Sequence, residues 1–182
     1  MSVQEILASV GSFSVQDMLL FEEKIRRKVF RKNDLLLRQG EVCQSVYFIL
    51  SGSFFQFQSD GINETIIDLH LPEEWMYNHP SLIDQKPSHT AIKAFEAAEV
   101  IELSLQHLHE LIVKSQSFLS FGRVFNQPNH RTYLFDHALS PAQKYGYITN
   151  AKPLIVQVFP VKMIASYLKI APETLSRVRA SH

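Results

Sequence analysis

Between Val29 and Leu103 the chain is cut into short β-type runs at nearly even spacing: Val29–Arg31, Leu35–Arg38, Val46–Leu50, Phe54–Gln58, Thr65–His70, Ala91–Ala94 and Val100–Leu103. Runs this short cannot each bury a face alone, so they must close on one another as a β-sandwich or small barrel. The breaks agree with that reading. Lys32-Asn33-Asp34, Gln39-Gly40-Glu41, Ser51-Gly52-Ser53 and Ser59-Asp60-Gly61 each supply residues that accept turn geometry, and Asp60-Gly61 is the strongest hairpin signal in the chain.

Helical texture flanks the β region. Residues 15–28 carry Val15, Met18, Leu19 and Ile25 with Glu22 and Glu23 placed to pair with Arg26 and Arg27, which predicts a surface helix. The cation-dense run from Lys24 to Lys32 is read as its solvated face and the following turn. Beyond the β region, Leu105, Leu108, Leu111 and Ile112 share a helical face, followed by Phe118, Leu119, Phe121, Val124 and Phe125. Such a segment is too apolar to stand alone. Pro128 should stop, kink or restart the helix near Asn126-Gln127-Pro128. Ser140-Pro141, a capping residue ahead of a first-turn proline, marks the entry to another helical module.

That module ends in Phe159 to Ala180, which predicts two short helices joined by a tight turn. Val161, Ile164, Ala165 and Leu168 form the apolar stripe of the first, and the turn falls at Lys169 to Ala171. Pro172 opens the second, in which Leu175 and Val178 point inward while Thr174, Ser176, Arg177 and Arg179 project outward. A helix that reads DNA needs this division, because arginine bonds guanine edges bidentately and Ser or Thr bonds base edges or phosphates. Charge follows the same boundary. The whole chain is neutral, yet Ser140 to His182 holds Lys144, Lys152, Lys162, Lys169, Arg177 and Arg179 against Glu173 alone, a net of +5 balanced by −5 in residues 1–139. Phosphate neutralisation dominates DNA affinity, but a net of +5 is modest, so two copies on one site are expected.

Other classes are disfavoured. No apolar run approaches the roughly 20 residues that span a bilayer, and MSVQEILASVGSFS lacks the features of a secretion signal, so a cytoplasmic, non-membrane protein is expected. The single Cys43 allows no internal disulfide and reads as a small buried filler. His70, His79 and His89 fall on separate elements without a ligand motif; no metal and no cofactor is expected. With six glycines and neither a phosphate-cradling loop nor a nucleophile–base pattern, an enzyme is not expected.

The order RKNDLLLRQGEVCQSVYFILSGSFFQF, a hairpin, a variable loop and AIKAFEAAEVIELSLQHLHEL resembles the cyclic-nucleotide-binding β-roll of the Crp/Fnr family of bacterial transcription regulators, and PETLSRVRA resembles the start of that family's recognition helix. The resemblance covers nearly the whole chain. It implies an α+β fold: an N-terminal double-stranded β-helix (a jelly-roll-like β-roll) with flanking helices in residues 1–114, a central dimerisation helix in 115–139, and a small helix-turn-helix domain in 140–182. It also implies a homodimer bound to double-stranded DNA, with Glu173, Thr174 and Arg177 facing the major groove, Ser176 and Arg179 beside them, and Pro172 opening the helix.

In the expected ligand loop the sequence departs from the family. The Gly-Glu pair and the Arg that hold a cyclic nucleotide are missing; Trp75, Met76 and Tyr77 stand about where the former falls, and Ser88 where the latter does. A buried phosphate without its guanidinium loses on the order of 2 kcal/mol, so cyclic AMP is not expected to bind. Trp75, Tyr77, Asn78, Ser88, His89 and Thr90 are the candidates for reading some other small effector, unless Trp75 and Met76 simply fill the vacated space. The sequence stops at Ser181-His182 without the β-hairpin wing of many relatives, so fewer backbone phosphate contacts are expected. The leading reading is a sequence-specific DNA-binding regulator with a degenerate nucleotide pocket. The alternative is a ligand-sensing or protein-interaction module with a vestigial helix-turn-helix.

Overall fold

The computed structural model describes residues 1–126 and 139–180. Two capped helices open the chain, α1 (Val3–Ala8) and α2 (Val15–Lys24), each started by a capping box in which Ser2 or Ser14 bonds the third helical residue and receives its carboxylate in return. Eight strands follow: β1 (Arg26–Phe30), β2 (Leu35–Leu37), β3 (Ser45–Ser51), β4 (Phe54–Ser59), β5 (Glu64–His70), β6 (Trp75–Met76), β7 (Ala91–Ala94) and β8 (Ala98–Ser104), with helix α3 (His79–Asp84) between β6 and β7. They form two four-stranded sheets, β1-β8-β3-β6 and β2-β7-β4-β5, and every pairing is antiparallel.

Turn chemistry fixes the registers. Asp60 Oδ1 accepts from the backbone of Ile62 and Asn63 while Gly61 takes φ +92°, closing the β4–β5 hairpin. Gly52 sits at φ +76°, where an added Cβ would come within 2.4 Å of the Ala97 carbonyl oxygen; no other residue fits between β3 and β8 there. In β5 an extra residue, Ile67, interrupts the register between the pairs Gln56–Asp68 and Phe57–Ile66.

The helix expected over 15–28 ends at Lys24. Residues Arg26–Lys28 are strand instead, and their cations find β8 rather than α2: Arg27 pairs with Glu99 at 2.9 Å and Lys28 with Glu102 at 2.9 Å. Two cations of the run are thereby paired across the sheet. Cross-strand pairing satisfies the same charges that an i,i+4 helical pattern would.

After β8 come α4 (Leu105–Lys114), a 3₁₀ turn (Gln116–Phe121) and a short α5 (Gly122–Phe125). Leu108, Leu111, Phe118, Phe121 and Val124 are buried in the same cluster as Phe21, Phe48, Ile49 and Phe54. The apolar residues of this segment therefore serve the core of the β domain. Pro128 and the remainder of the connection, residues 127–138, lie outside the described residues.

Residues 141–180 form four helices: α6 (Pro141–Ala151), opened by a Ser140–Gln143 capping box with Pro141 in its first turn; α7 (Ile155–Val158); α8 (Val161–Leu168); and α9 (Pro172–Ala180). Helix α7 forms although its Ile155-Val156-Gln157-Val158 is rich in β-branched residues that favour strand. These helices do not float beside the sheets. In β4, Phe54 faces the first core, whereas Phe55 and Phe57 turn to the opposite face and join Ile66 and Leu69 of β5 in a second cluster with Ile148, Ile155, Phe159, Ile164 and Leu168. One sheet is apolar on both faces because the C-terminal helices cover the outer one. The edge strand is also capped, since the backbone N–H of Ile66 donates to Ser166 Oγ at 3.0 Å. Among the described residues no helix is long and apolar enough to cross a membrane.

Candidate functional site

The C-terminal helix pair is built as its pattern requires. Helix α8 ends with Lys169 in the left-handed region at φ +55°, and Ile170 N–H reaches back to the Ala165 carbonyl at 3.0 Å, a tight stop that turns the chain into α9. Lys144 of α6 is buried and donates to the Leu168 carbonyl at 3.1 Å, satisfying an orphan acceptor at the end of α8 where a cation is favoured. In α9, Leu175 is fully buried, Thr174 and Val178 are half-buried, and Pro172, Glu173, Ser176, Arg177 and Arg179 are exposed on the outer side. Two of the six cations counted toward a phosphate field, Lys144 and Lys152, are engaged inside the molecule; Lys162, Lys169, Arg177 and Arg179 lie at the surface.

The second group of expected site residues separates into distinct environments. Asn78 caps α3 by accepting from Ser81 N–H, and its amide donates to Ser88 Oγ at 2.7 Å and Thr90 Oγ1 at 2.6 Å. Ser88 donates to the Thr90 carbonyl, and Gln56 Nε2 donates to Thr90 Oγ1. Asn78 and Ser88 are buried, so this corner is closed on itself. Trp75 and Met76 are core residues. The Trp75 ring lies edge-on to Phe48 and Phe121, each at 5.2 Å, and its indole N–H donates to Ser9 Oγ. Tyr77 donates its hydroxyl to the Val124 carbonyl at 2.8 Å, and burial pushes its pKa up to about 12. His89 is exposed, as is Lys86.

Open space lies one layer away, where β5 and the β5–β6 turn meet the end of α6. A cavity of about 320 Å³ is lined by Gln56, Asp68, His70, Glu74, Trp75, Tyr77 and Lys152 among others. Lys152 donates to Glu74 at 2.8 Å and to the Leu69 carbonyl at 3.1 Å, tying the C-terminal helices to the turn. Burial opposes its charge, but Asp68 and Glu74 outweigh that and hold its pKa above the ordinary lysine value. His70 is buried, and its Nε2 has no hydrogen-bond partner among the described residues. Desolvation drives its pKa down, so the ring is held neutral. Sequence reasoning placed Trp75 and Tyr77 near a pocket but missed Gln56, His70 and Lys152. A histidine between Leu69 and Leu71 in a buried strand was the available signal.

Among the described residues, no group of three or more His, Cys, Asp or Glu side chains is placed to hold a metal ion. Cys43 is buried, and its thiol donates to the Ser45 carbonyl.

Comparison with known proteins agrees with this architecture. Residues 27–115 match the family model described as cyclic nucleotide-binding domain. The transcriptional activator protein Anr of Pseudomonas protegens is 27% identical over 184 aligned positions, which cover 92% of this chain and 75% of that protein. Among solved structures, FixK2 from Bradyrhizobium japonicum superposes with a TM-score of 0.65 at 14% identity, covering 86% of this chain and 83% of that one. The catabolite activator protein of Thermus thermophilus superposes at 0.59 with 19% identity over 97% of this chain and 85% of that one. At these identities the structural likeness is one of fold.

Proposed function

For this chain, which belongs to the Crp/Fnr family of transcription regulators, we propose a sequence-specific DNA reader that works as a homodimer in the cytoplasm, with its helix-turn-helix in α8 and α9. One observation carries the proposal. Helix α9 buries Leu175 and exposes Glu173, Ser176, Arg177 and Arg179, so it presents a polar face to solvent in the basic C-terminal module. Arg177 is suited to a guanine edge, with Glu173 and Thr174 on the neighbouring bases, Ser176 and Arg179 on bases or phosphates, and Pro172 starting the helix. Four surface cations give a weak field for one copy. Two copies on half-sites about one helical turn apart would double the phosphate contacts and supply two-fold symmetry.

The domain division that goes with this reading is a β-roll in 1–114, a dimerisation segment in 115–139 and the reader in 140–182. The closed corner of Asn78, Ser88, Thr90 and Gln56 supports regulation without cyclic AMP: among the described residues no guanidinium bonds to it, and its hydrogen-bonding groups are spent on one another.

Selection of bound fragments from a random duplex library, at two salt concentrations, tests the proposal. The expected result is a two-fold-symmetric motif, with Arg177→Ala losing about 1–3 kcal/mol of discrimination at one position of each half-site. Indistinguishable, motif-free recovery by the two proteins would overturn it.

A further inference from the structure

We propose that Lys144 is a positioning residue for base reading: its buried ammonium fixes the turn between α8 and α9, and with it the angle at which α9 presents Arg177. The inference rests on the proposed DNA reading and deepens it, by assigning part of the reader's specificity to a side chain buried away from the DNA-facing surface.

The backbone bonds that close the turn run from Lys169 and Ile170 to the Ala165 and Ser166 carbonyls. The Leu168 carbonyl is met from outside the turn, by Lys144 Nζ of α6 at 3.1 Å. The next residue, Lys169, holds the left-handed conformation at φ +55°, which is disfavoured for any residue with a β-carbon, so the bond braces the turn where its backbone is least comfortable. Ile148, one turn further along α6, lies in one buried cluster with Leu168 and Leu175. Apolar contact is non-directional and keeps the three helices together without setting their rotation; a hydrogen bond of fixed length does set it. Lysine is rarely buried, and among the described residues no carboxylate pairs with Lys144. A buried charge adds little stability that an apolar side chain would not, and fixing register is the best-attested use of such groups.

Leverage converts the brace into specificity. At the helical rise per residue, Arg177 stands roughly 8 Å along α9 from Pro172, so a tilt of about 10° moves its Cα by about 1 Å. A bidentate bond to a base edge tolerates only a few tenths of that. Attraction to phosphates acts over about 10 Å and is indifferent to such a shift.

The test compares the full wild-type chain with Lys144→Met in two measurements. Without DNA, amide hydrogen exchange across residues 169–175 is expected to quicken about tenfold in the variant while strand β8 keeps its protection. With DNA, affinity is measured over a salt series for a duplex carrying the motif recovered by selection and for a random duplex of the same length. Lys144→Met should lower the ratio of the two affinities about tenfold, keep random-duplex affinity within about twofold and leave the salt slope unchanged. A lost phosphate contact would instead weaken both duplexes together and reduce the slope by about 1. Circular dichroism shows whether the variant is folded; if it is not, Lys144→Gln, polar and one atom shorter, takes its place in both measurements. Unchanged exchange, an unchanged affinity ratio or a parallel loss on both duplexes would overturn the role of Lys144. If exchange quickens but the wild-type chain yields no motif, the DNA reading falls and the specificity role with it, and only the bracing of the turn survives.

Discussion

Two polar regions lie side by side in the β domain and have opposite character. Around Asn78 every partner is internal: its amide, Ser88, Thr90 and Gln56 exchange hydrogen bonds over 2.6–2.7 Å, and Trp75 plugs the adjoining space. Around His70, a volume of about 320 Å³ stays open and a buried nitrogen lacks a partner among the described residues. A family's ligand corner can thus be retired by replacing its charged groups with short side chains that satisfy one another. A polar region that keeps an unmet group and an unfilled volume has not been retired in that way. Unpaired buried polarity is expensive, and a fold retains it most readily where something else completes the set.

The sharpest blow to this contrast is Trp75→Ala. If the ring is core filler, the cost is about 3–5 kcal/mol by urea denaturation; a loss under about 1 kcal/mol would return Trp75 to the role of ligand wall alone. Next comes Asn78→Leu, which removes three bonds at once and leaves Ser88, Thr90 and the Ser81 N–H facing an apolar side chain. A loss of about 2–3 kcal/mol is expected, and a near-neutral result would show that the corner admits water.

The smallest effect is in pH dependence. His70 is faced by Asp68, Glu74 and Lys152, and its pKa is lower folded than unfolded. The unfolded chain therefore takes up the proton first as pH falls, so stability is fully present above about 6.5 and declines below it, by at most about 1.4 kcal/mol per pH unit from this group. His70→Leu should remove that component of the acid slope in melts between pH 5 and 7. An unchanged slope would show that His70 is not the buried group being titrated.

Much of the fold was legible in the sequence because it rests on local signals. Each of the seven β-type runs overlaps a strand, since alternation and turn residues act within a few positions, although β1 begins at Arg26, three residues before the run Val29–Arg31. The eighth strand, Trp75–Met76, was not legible: two residues carry no period, and only pairing with Tyr47 and Phe48 makes them a strand. The helix overran into Arg26–Lys28 because helical and cross-strand partners satisfy its charges equally well, and only tertiary structure chooses between Glu22 or Glu23 and the glutamates of β8. The outward face of α9 was legible because 3.6-residue periodicity alone sorts Leu175 from Arg177. The His70 cavity was not. Its walls come from β4, β5, the β5–β6 turn and the end of α6, and Lys152 reads in sequence as one more cation of a basic module.

The bond from Ile66 N–H to Ser166 Oγ has a further consequence for solubility. Strand β5 is the rim of its sheet, and Phe55, Phe57 and Leu69 beside it form a greasy outer surface that the C-terminal helices shield. Any motion that lifted those helices would bare an unpaired rim next to an apolar plane, the combination from which chains zip together edge to edge. The same helices that face outward with Arg177 thus act, on their inner side, as the safeguard that keeps neighbouring molecules from joining their sheets.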